Sequence, residues 1–107
     1  MVIRGAVYRV DLGAARGHEQ GGRRYGVVLA PATGVAWSVV VVVPTSTRAQ
    51  PARFRPQLEL AGQPTVLLVD QLRAVDVDHV HGDPVDHLGP DELAELEHTV
   101  SRYLGLD

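Results

Sequence analysis

Between residues 17 and 24 the chain reads Gly17-His18-Glu19-Gln20-Gly21-Gly22-Arg23-Arg24, crowding an imidazole, a carboxylate, an amide and two guanidiniums into a glycine-rich stretch. Two further polar sets follow hydrophobic runs: Pro44-Thr45-Ser46-Thr47-Arg48 and Asp70-Gln71-Leu72-Arg73. Together they hold an acid, bases, hydroxyls and guanidiniums. Cleavage of RNA by its own 2′-hydroxyl asks for such a set: a group to take that proton, a group to protonate the leaving 5′-oxygen, and donors to stabilise the crowded phosphate. No metal is needed for it. An arginine stays protonated in a protein, so its natural role is charge stabilisation. Taken singly, each set also fits a plainer description, a solvated connection or a turn in which hydroxyls bond nearby backbone.

A different cluster, His79-Val80-His81 with Asp76, Asp78, Asp83, Asp86 and His87, would put two imidazoles on one strand face. It has no third ligand at a characteristic zinc spacing, and such a run fits a solvated polar connection. We assign no metal and no cofactor.

The three polar sets need elements to hold them. Ala6 to Leu12 and Gly26 to Ala30 read as strands on either side of the Gly17–Arg24 loop. Val39 to Val43 is a β-branched run stopped by Pro44, the pattern of a buried central strand. Phe54 to Leu60 alternates Phe54, Pro56, Leu58 and Leu60 against Arg55, Gln57 and Glu59, a half-buried strand near an edge because of Pro56. Ala61-Gly62-Gln63-Pro64 then turns the chain into Thr65–Val69, with Asp70, Gln71 and Arg73 where that strand ends. The connection Ala32 to Ala36 is short. After Leu88 the period changes: Pro90 sits in a first turn with Asp91 and Glu92, an apolar stripe follows at Leu93, Leu96, Val100, Tyr103 and Leu104, and Gly105 closes the helix. Five or six short strands followed by one amphipathic helix predict a mainly β fold, a small barrel with a helix packed on it.

With 107 residues and 45% hydrophobic content, one modest core is available, so we expect a single domain over 1–107 that assembles into an oligomer. There is no cysteine, which removes sulfur redox chemistry, disulfides and thiolate metal sites, and suits the cytoplasm. The first residues carry no signal-peptide pattern and Val39–Val43 is far too short to span a bilayer, so we expect no membrane partner. The net charge of −3 conceals a polarity: residues 1–58 hold eight arginines against Asp11 and Glu19, whereas residues 59–107 hold two arginines against eleven acids. All ten basic residues are arginine, whose fork matches two phosphate oxygens. The clustering in the first half predicts a basic face for a polyanion.

In order and spacing these residues resemble the MazF/PemK family of bacterial toxins, the endoribonuclease halves of toxin and antitoxin pairs. The resemblance runs from Arg4-Gly5-Ala6-Val7-Tyr8 and Asp11-Leu12 through the Gly17–Arg24 stretch, Pro44-Thr45-Ser46 and Asp70-Gln71-Leu72-Arg73-Ala74-Val75-Asp76 to the helix end Tyr103-Leu104-Gly105-Leu106. It implies a small SH3-like β-barrel of the CcdB/PemK type with a C-terminal helix, a homodimer, and sequence-specific, metal-independent cleavage of single-stranded RNA that leaves a 2′,3′-cyclic phosphate and a 5′-hydroxyl. It also implies a cognate antitoxin. Arg24 matches the family's catalytic arginine; its catalytic hydroxyl falls on Ser46 when Pro44 is aligned, or on Thr45 with one deletion. His18 and Asp70 match positions implicated in the PemK branch, with Asp70 as the base. Glu19, Gln20, Arg23, Thr47, Gln71 and Arg73 would shape the site or bind substrate. The chain departs from the family in having Tyr25 where proline commonly follows the arginine, and Leu68 where the PemK branch has an arginine. The alternatives are a poison of the same fold that binds gyrase, like CcdB, and a toxin that has lost catalysis and only binds its antitoxin.

Overall fold

In a computed structural model, which describes residues 2–32 and 38–106, seven strands and one helix form a curled antiparallel sheet. The strands are β1 (Ala6–Asp11), β2 (Arg23–Ala30), β3 (Val39–Ser46), β4 (Gln57–Leu60), β5 (Gln63–Leu67), β6 (Arg73–Asp76) and β7 (Val80–His87), and the helix is α1 (Pro90–Leu104). Their order is β4-β5-β3-β2-β1-β7, with β6 paired to the first half of β3. β3 therefore changes partners along its length: Val39 to Val42 pair with β6, and Thr45 and Ser46 pair with β5. That change of partner bends the sheet into a half-barrel, the curled form of the small barrel expected from the strand pattern.

Alternation of side chains gives the sheet two apolar faces. On one, the cross-strand row Val43–Val27–Val7 is wholly buried and packs with Leu60, Leu67, Val69, Leu96 and Val100. On the other, Tyr8, Val10, Val28, Val40 and Val42 form a second cluster with Val75. Of the valine run, Val40, Val42 and Val43 are buried, between them on both faces, whereas Val41 is half-buried and Val39, at the start of the strand, is 51% exposed.

The helix begins at Pro90, with the Glu92 carboxylate accepting the Gly89 N–H at 2.9 Å, and ends at Gly105 in the left-handed region at φ 74°. Leu96 and Val100 enter the core, but the C-terminal part of the expected stripe does not: Leu104 is 51% exposed. Tyr103 packs edge-on to Phe54 instead, with ring centres 5.2 Å apart.

Several boundaries differ from the sequence expectation. Arg23 and Arg24 belong to β2, not to the loop, because β1 runs on to Asp11 and supplies both with partners. The expected strand 54–60 is confined to Gln57–Leu60; the chain before it turns on itself through mutual hydrogen bonds between Ala52 and Arg55. Its hairpin is the two-residue turn Ala61-Gly62, both at positive φ, the pattern that matches strand twist. The strand after it ends at Leu67, and a 3-10 turn over Val69–Gln71 carries Asp70. β7, expected as a polar connection, is an edge strand on β1. The Ala32–Ala36 connection falls, apart from Ala32, outside the described residues.

Candidate active site

The buried row Val43–Val27–Val7 ends where polar side chains begin. Two residues further along, on the same face, Tyr25 pairs with Arg9 and Arg9 with His81, so one row crosses β2, β1 and β7. The Arg9 guanidinium carbon lies 5.9 Å from the Tyr25 ring centre. This row, with Arg23, Arg24 and the Thr45–Arg48 segment, lines a groove of about 770 Å³, the size of a ligand site. Four guanidiniums converge there without an acidic side chain among the described lining residues.

Arg24 is the best-anchored of the four. Its Nη1 donates to the Thr45 carbonyl at 2.8 Å and its Nε to the Gly21 carbonyl at 3.2 Å. Two of five N–H donors are spent on fixing the side chain, and the remaining ones, including both on Nη2, are left for an anion. The loop that supplies Gly21 is built for that approach. A Cβ at Gly21 would stand 2.4 Å from the Ala15 nitrogen, so glycine alone fits. The loop base is closed by Gly22 N–H to Gly13 O at 2.6 Å and Leu12 N–H to Gly22 O at 2.9 Å.

The two candidate hydroxyls differ in what they have left to give. Thr45 is buried and its hydroxyl donates to the Tyr25 carbonyl at 2.8 Å, tying β3 to β2. The Ser46 oxygen accepts the Arg48 and Ala49 N–H groups at 3.1 and 3.0 Å, which leaves its proton free to point at an oxyanion. Thr47 and Arg48 follow on the exposed rim of the groove.

Asp70 stands elsewhere. Both carboxylate oxygens accept from Arg55, Nε to Oδ1 at 2.9 Å and Nη2 to Oδ2 at 2.8 Å. The hydrogen bonds from Arg55 hold the Asp70 carboxyl below the usual carboxylate range, and the same pairing raises Arg55. A carboxylate so held is a weak proton acceptor, and Asp70 does not line the groove. Its pairing is architectural: it joins the 51–56 segment to the 3-10 turn, where the Tyr103 hydroxyl also donates to the Asp70 carbonyl at 3.3 Å. Sequence alternation placed Arg55 on a solvent face, so this partner was missed. Leu68, where an arginine would have been expected, is fully buried.

Because Asp70 is depressed in the folded state, the pair stabilises the protein above the unfolded carboxyl value near 3.9 and loses that contribution as pH falls through the lower folded value. Asp70→Asn is expected to cost about 1 kcal/mol at neutral pH, the pair being partly exposed, and to flatten the acid limb of a stability-against-pH curve measured by urea melts.

The other expected site residues divide. Arg23 lines the groove; His18 and Glu19 are exposed on the loop and do not line it. Gln71 clamps that loop, accepting the Gln20 N–H at 3.3 Å and donating to the His18 carbonyl at 3.2 Å. Arg73 lines a separate cleft with Asp11, Asp76 and His79. His79 and His81, expected on one face, therefore open onto different clefts, because a 3-10 turn over Val77–His79 intervenes before β7. Arg9, Tyr25, Arg48 and His81 line the groove although the sequence reading did not assign them to the site; the β1–β7 register brings His81 to Arg9.

The family model for a PemK-like, MazF-like toxin of type II toxin–antitoxin systems matches residues 3–104. A candidate toxin of Mycobacterium tuberculosis is 64% identical over 107 residues, covering 99% of this chain and 100% of that one. MazF from Deinococcus radiodurans superposes with a TM-score of 0.81 at 30% identity, over 95% of this chain and 94% of that chain. A mycobacterial endoribonuclease solved with its cognate antitoxin shares the fold with a TM-score of 0.79 at 21% identity, over 100% and 98% of the two chains. With strand order, helix and arginine groove all in place, the chain belongs to the PemK-like, MazF-like toxins of type II toxin–antitoxin systems.

Proposed function

We propose that this toxin is an endoribonuclease that cuts single-stranded RNA without a metal ion, by attack of the 2′-hydroxyl on the adjacent phosphate. The observation that carries this is the anchored Arg24, whose free donors face the groove beside the hydroxyl of Ser46. As the pentavalent phosphate forms, Arg24 and Ser46 would donate to its non-bridging oxygens, an interaction stronger in the transition state than with the starting diester. Arg9, Arg23, Arg48 and Thr47 would track the backbone. The products are a 2′,3′-cyclic phosphate and a 5′-hydroxyl.

The active species in this proposal is a cytoplasmic homodimer, with the groove as the place where the antitoxin acts. A partly disordered acidic tail laid over the same arginines would exclude RNA, as complementary charge directs. Solved relatives with antitoxin bound, among them a MazE–MazF complex of Deinococcus radiodurans at 26% identity, support such a partner.

The test is incubation of purified protein with mixed-sequence single-stranded RNA in EDTA, followed by mapping of fragment ends. Cuts at short defined sites with cyclic phosphate termini are expected. A folded protein that leaves the RNA intact would overturn the proposal. The hydroxyl roles separate by mutation: Ser46→Ala is expected to lower turnover about 10-fold with the fold unchanged. Thr45→Val should cost about 1 kcal/mol of stability in a thermal melt, since it leaves the Tyr25 carbonyl unpaired.

A further inference from the structure

The cleavage proposed above needs a group to accept the 2′-hydroxyl proton, and the groove contains one side chain suited to it. Among the described lining residues, the guanidiniums of Arg9, Arg23, Arg24 and Arg48 offer donors and no acceptor, and the hydroxyls of Tyr25, Thr45, Ser46 and Thr47 are poor proton acceptors. His81 remains. An imidazole exchanges its proton in the range where cells work. Asp70 is engaged at both oxygens by Arg55 away from the groove, and His18 and Glu19 lie on the exposed loop.

The backbone aims His81 into this position. His81 pairs with Arg9, and Asp86 with Val7, so four residues of β7 (82 to 85) lie opposite Tyr8 alone. Gly82, at φ 72°, starts this bulge immediately after His81. Bulges of this kind bend a strand and redirect a side chain, and they gather beside active sites. The His81 ring forms no hydrogen bond or ion pair with a described residue, so its nitrogens are open to a ligand. His81 and Arg24 both line the groove, on β7 and β2, with β1 between their strands.

We propose that His81 is the proton acceptor of this toxin, an assignment that rests on the endoribonuclease reading. Neutral His81 takes the proton from the 2′-hydroxyl as the 2′-oxygen bonds to phosphorus. The bond from phosphorus to the 5′-oxygen breaks, its electron pair goes to that oxygen, and water supplies the proton that completes the 5′-hydroxyl. The imidazolium then returns its proton to solvent, and the enzyme is unchanged. The charged groups that line the groove with His81 are Arg9 from β1, Arg23 and Arg24 from β2, and Arg48 after β3, with Tyr25 paired to Arg9.

The experiment compares wild type, H81N and H81A on an RNA with one cleavable site, with binding measured on the same RNA carrying a 2′-deoxy sugar there. H81N is expected to lose 10²- to 10⁴-fold in kcat while KM and the affinity for the uncleavable RNA stay within about twofold. The acid limb of the wild-type pH–rate profile should vanish in H81N, and added imidazole should restore part of the H81A rate. Wild-type cleavage with H81N cutting at an undiminished rate and an unaltered acid limb would overturn the His81 assignment alone. A folded wild type that fails to cut RNA would overturn the endoribonuclease reading itself.

Discussion

Replacing Arg24 by alanine should reduce RNA cleavage by 10²- to 10³-fold or more in kcat, with the protein still folded. That range is the usual effect of deleting one well-placed oxyanion donor. Arg24 combines a fixed position, set by the Gly21 and Thr45 carbonyls, with donors left over for the phosphate. Arg9 (in ring contact with Tyr25), Arg23 (ion-paired to Asp11 at 4.0 Å) and Arg48 have no pair of carbonyl anchors of that kind among the described residues, and their loss should weaken RNA binding and its salt dependence more than turnover. Stability should fall only about 1 kcal/mol in Arg24→Ala, because the partly buried carbonyls it leaves can bond water. Arg24→Lys should recover little, since a lysine cannot bridge two carbonyls and still offer a fork to the phosphate. Single-turnover kinetics on a short RNA, with thermal melts of the same samples, separates the two effects. An Arg24→Ala protein that cuts within threefold or so of wild type would remove Arg24 from the chemistry.

Much of this arrangement is legible in the residues, and what is not has a common cause. The Val39–Val43 run and the Ala6–Leu12 alternation mark their strands because their neighbours' burial is written in their own period. The turn at Ala61-Gly62 and the helix from Pro90 to Gly105 are set by local chemistry; the helix stands where expected, and the turn is shorter than expected because Gln63 and Pro64 belong to β5. The convergence of Arg24 with Thr45 and Ser46 was visible in their recurrence at strand ends, although all three prove to lie within strands, since β3 continues through Pro44 to Ser46. β7 carries no such signature. It is an edge strand with polar residues on both faces, and only its pairing with β1 makes it a strand. His81 enters the groove through that register, and Arg55 reaches Asp70 through the turn at Ala52–Arg55. Both contacts depend on how distant segments meet, which a periodic pattern does not encode. The charge polarity follows the same division. The arginine-rich half supplies all four groove guanidiniums, whereas His81 comes from the acidic half.

The second large effect should come from a residue with no functional group. Gly21→Ala adds one methyl where the Ala15 nitrogen and Cα would stand at 2.4 and 2.7 Å, both backbone atoms that cannot swing aside. The loop must open. Two consequences follow from the bonds at that point. The Gly21 carbonyl that receives the Arg24 Nε moves with the loop, so the guanidinium loses one of its two anchors. The base of the loop, closed by Gly22 N–H to Gly13 O, loosens as well. A displacement of about 1 Å in a catalytic group can cost 10²-fold, and that is the loss in kcat expected for Gly21→Ala. The stability cost should be about 1–3 kcal/mol, as for other overpacked sites. Gly17→Ala provides the contrast: nothing lies within 4 Å of its added Cβ, so only the strain of its positive φ, 57°, acts. That change should leave cleavage nearly intact. If Gly21→Ala and Gly17→Ala slow cleavage equally, general loop stiffness and not the Gly21–Arg24 contact governs the site; a loss confined to Gly21→Ala would show that the close packing against Ala15 holds the arginine where the phosphate must react.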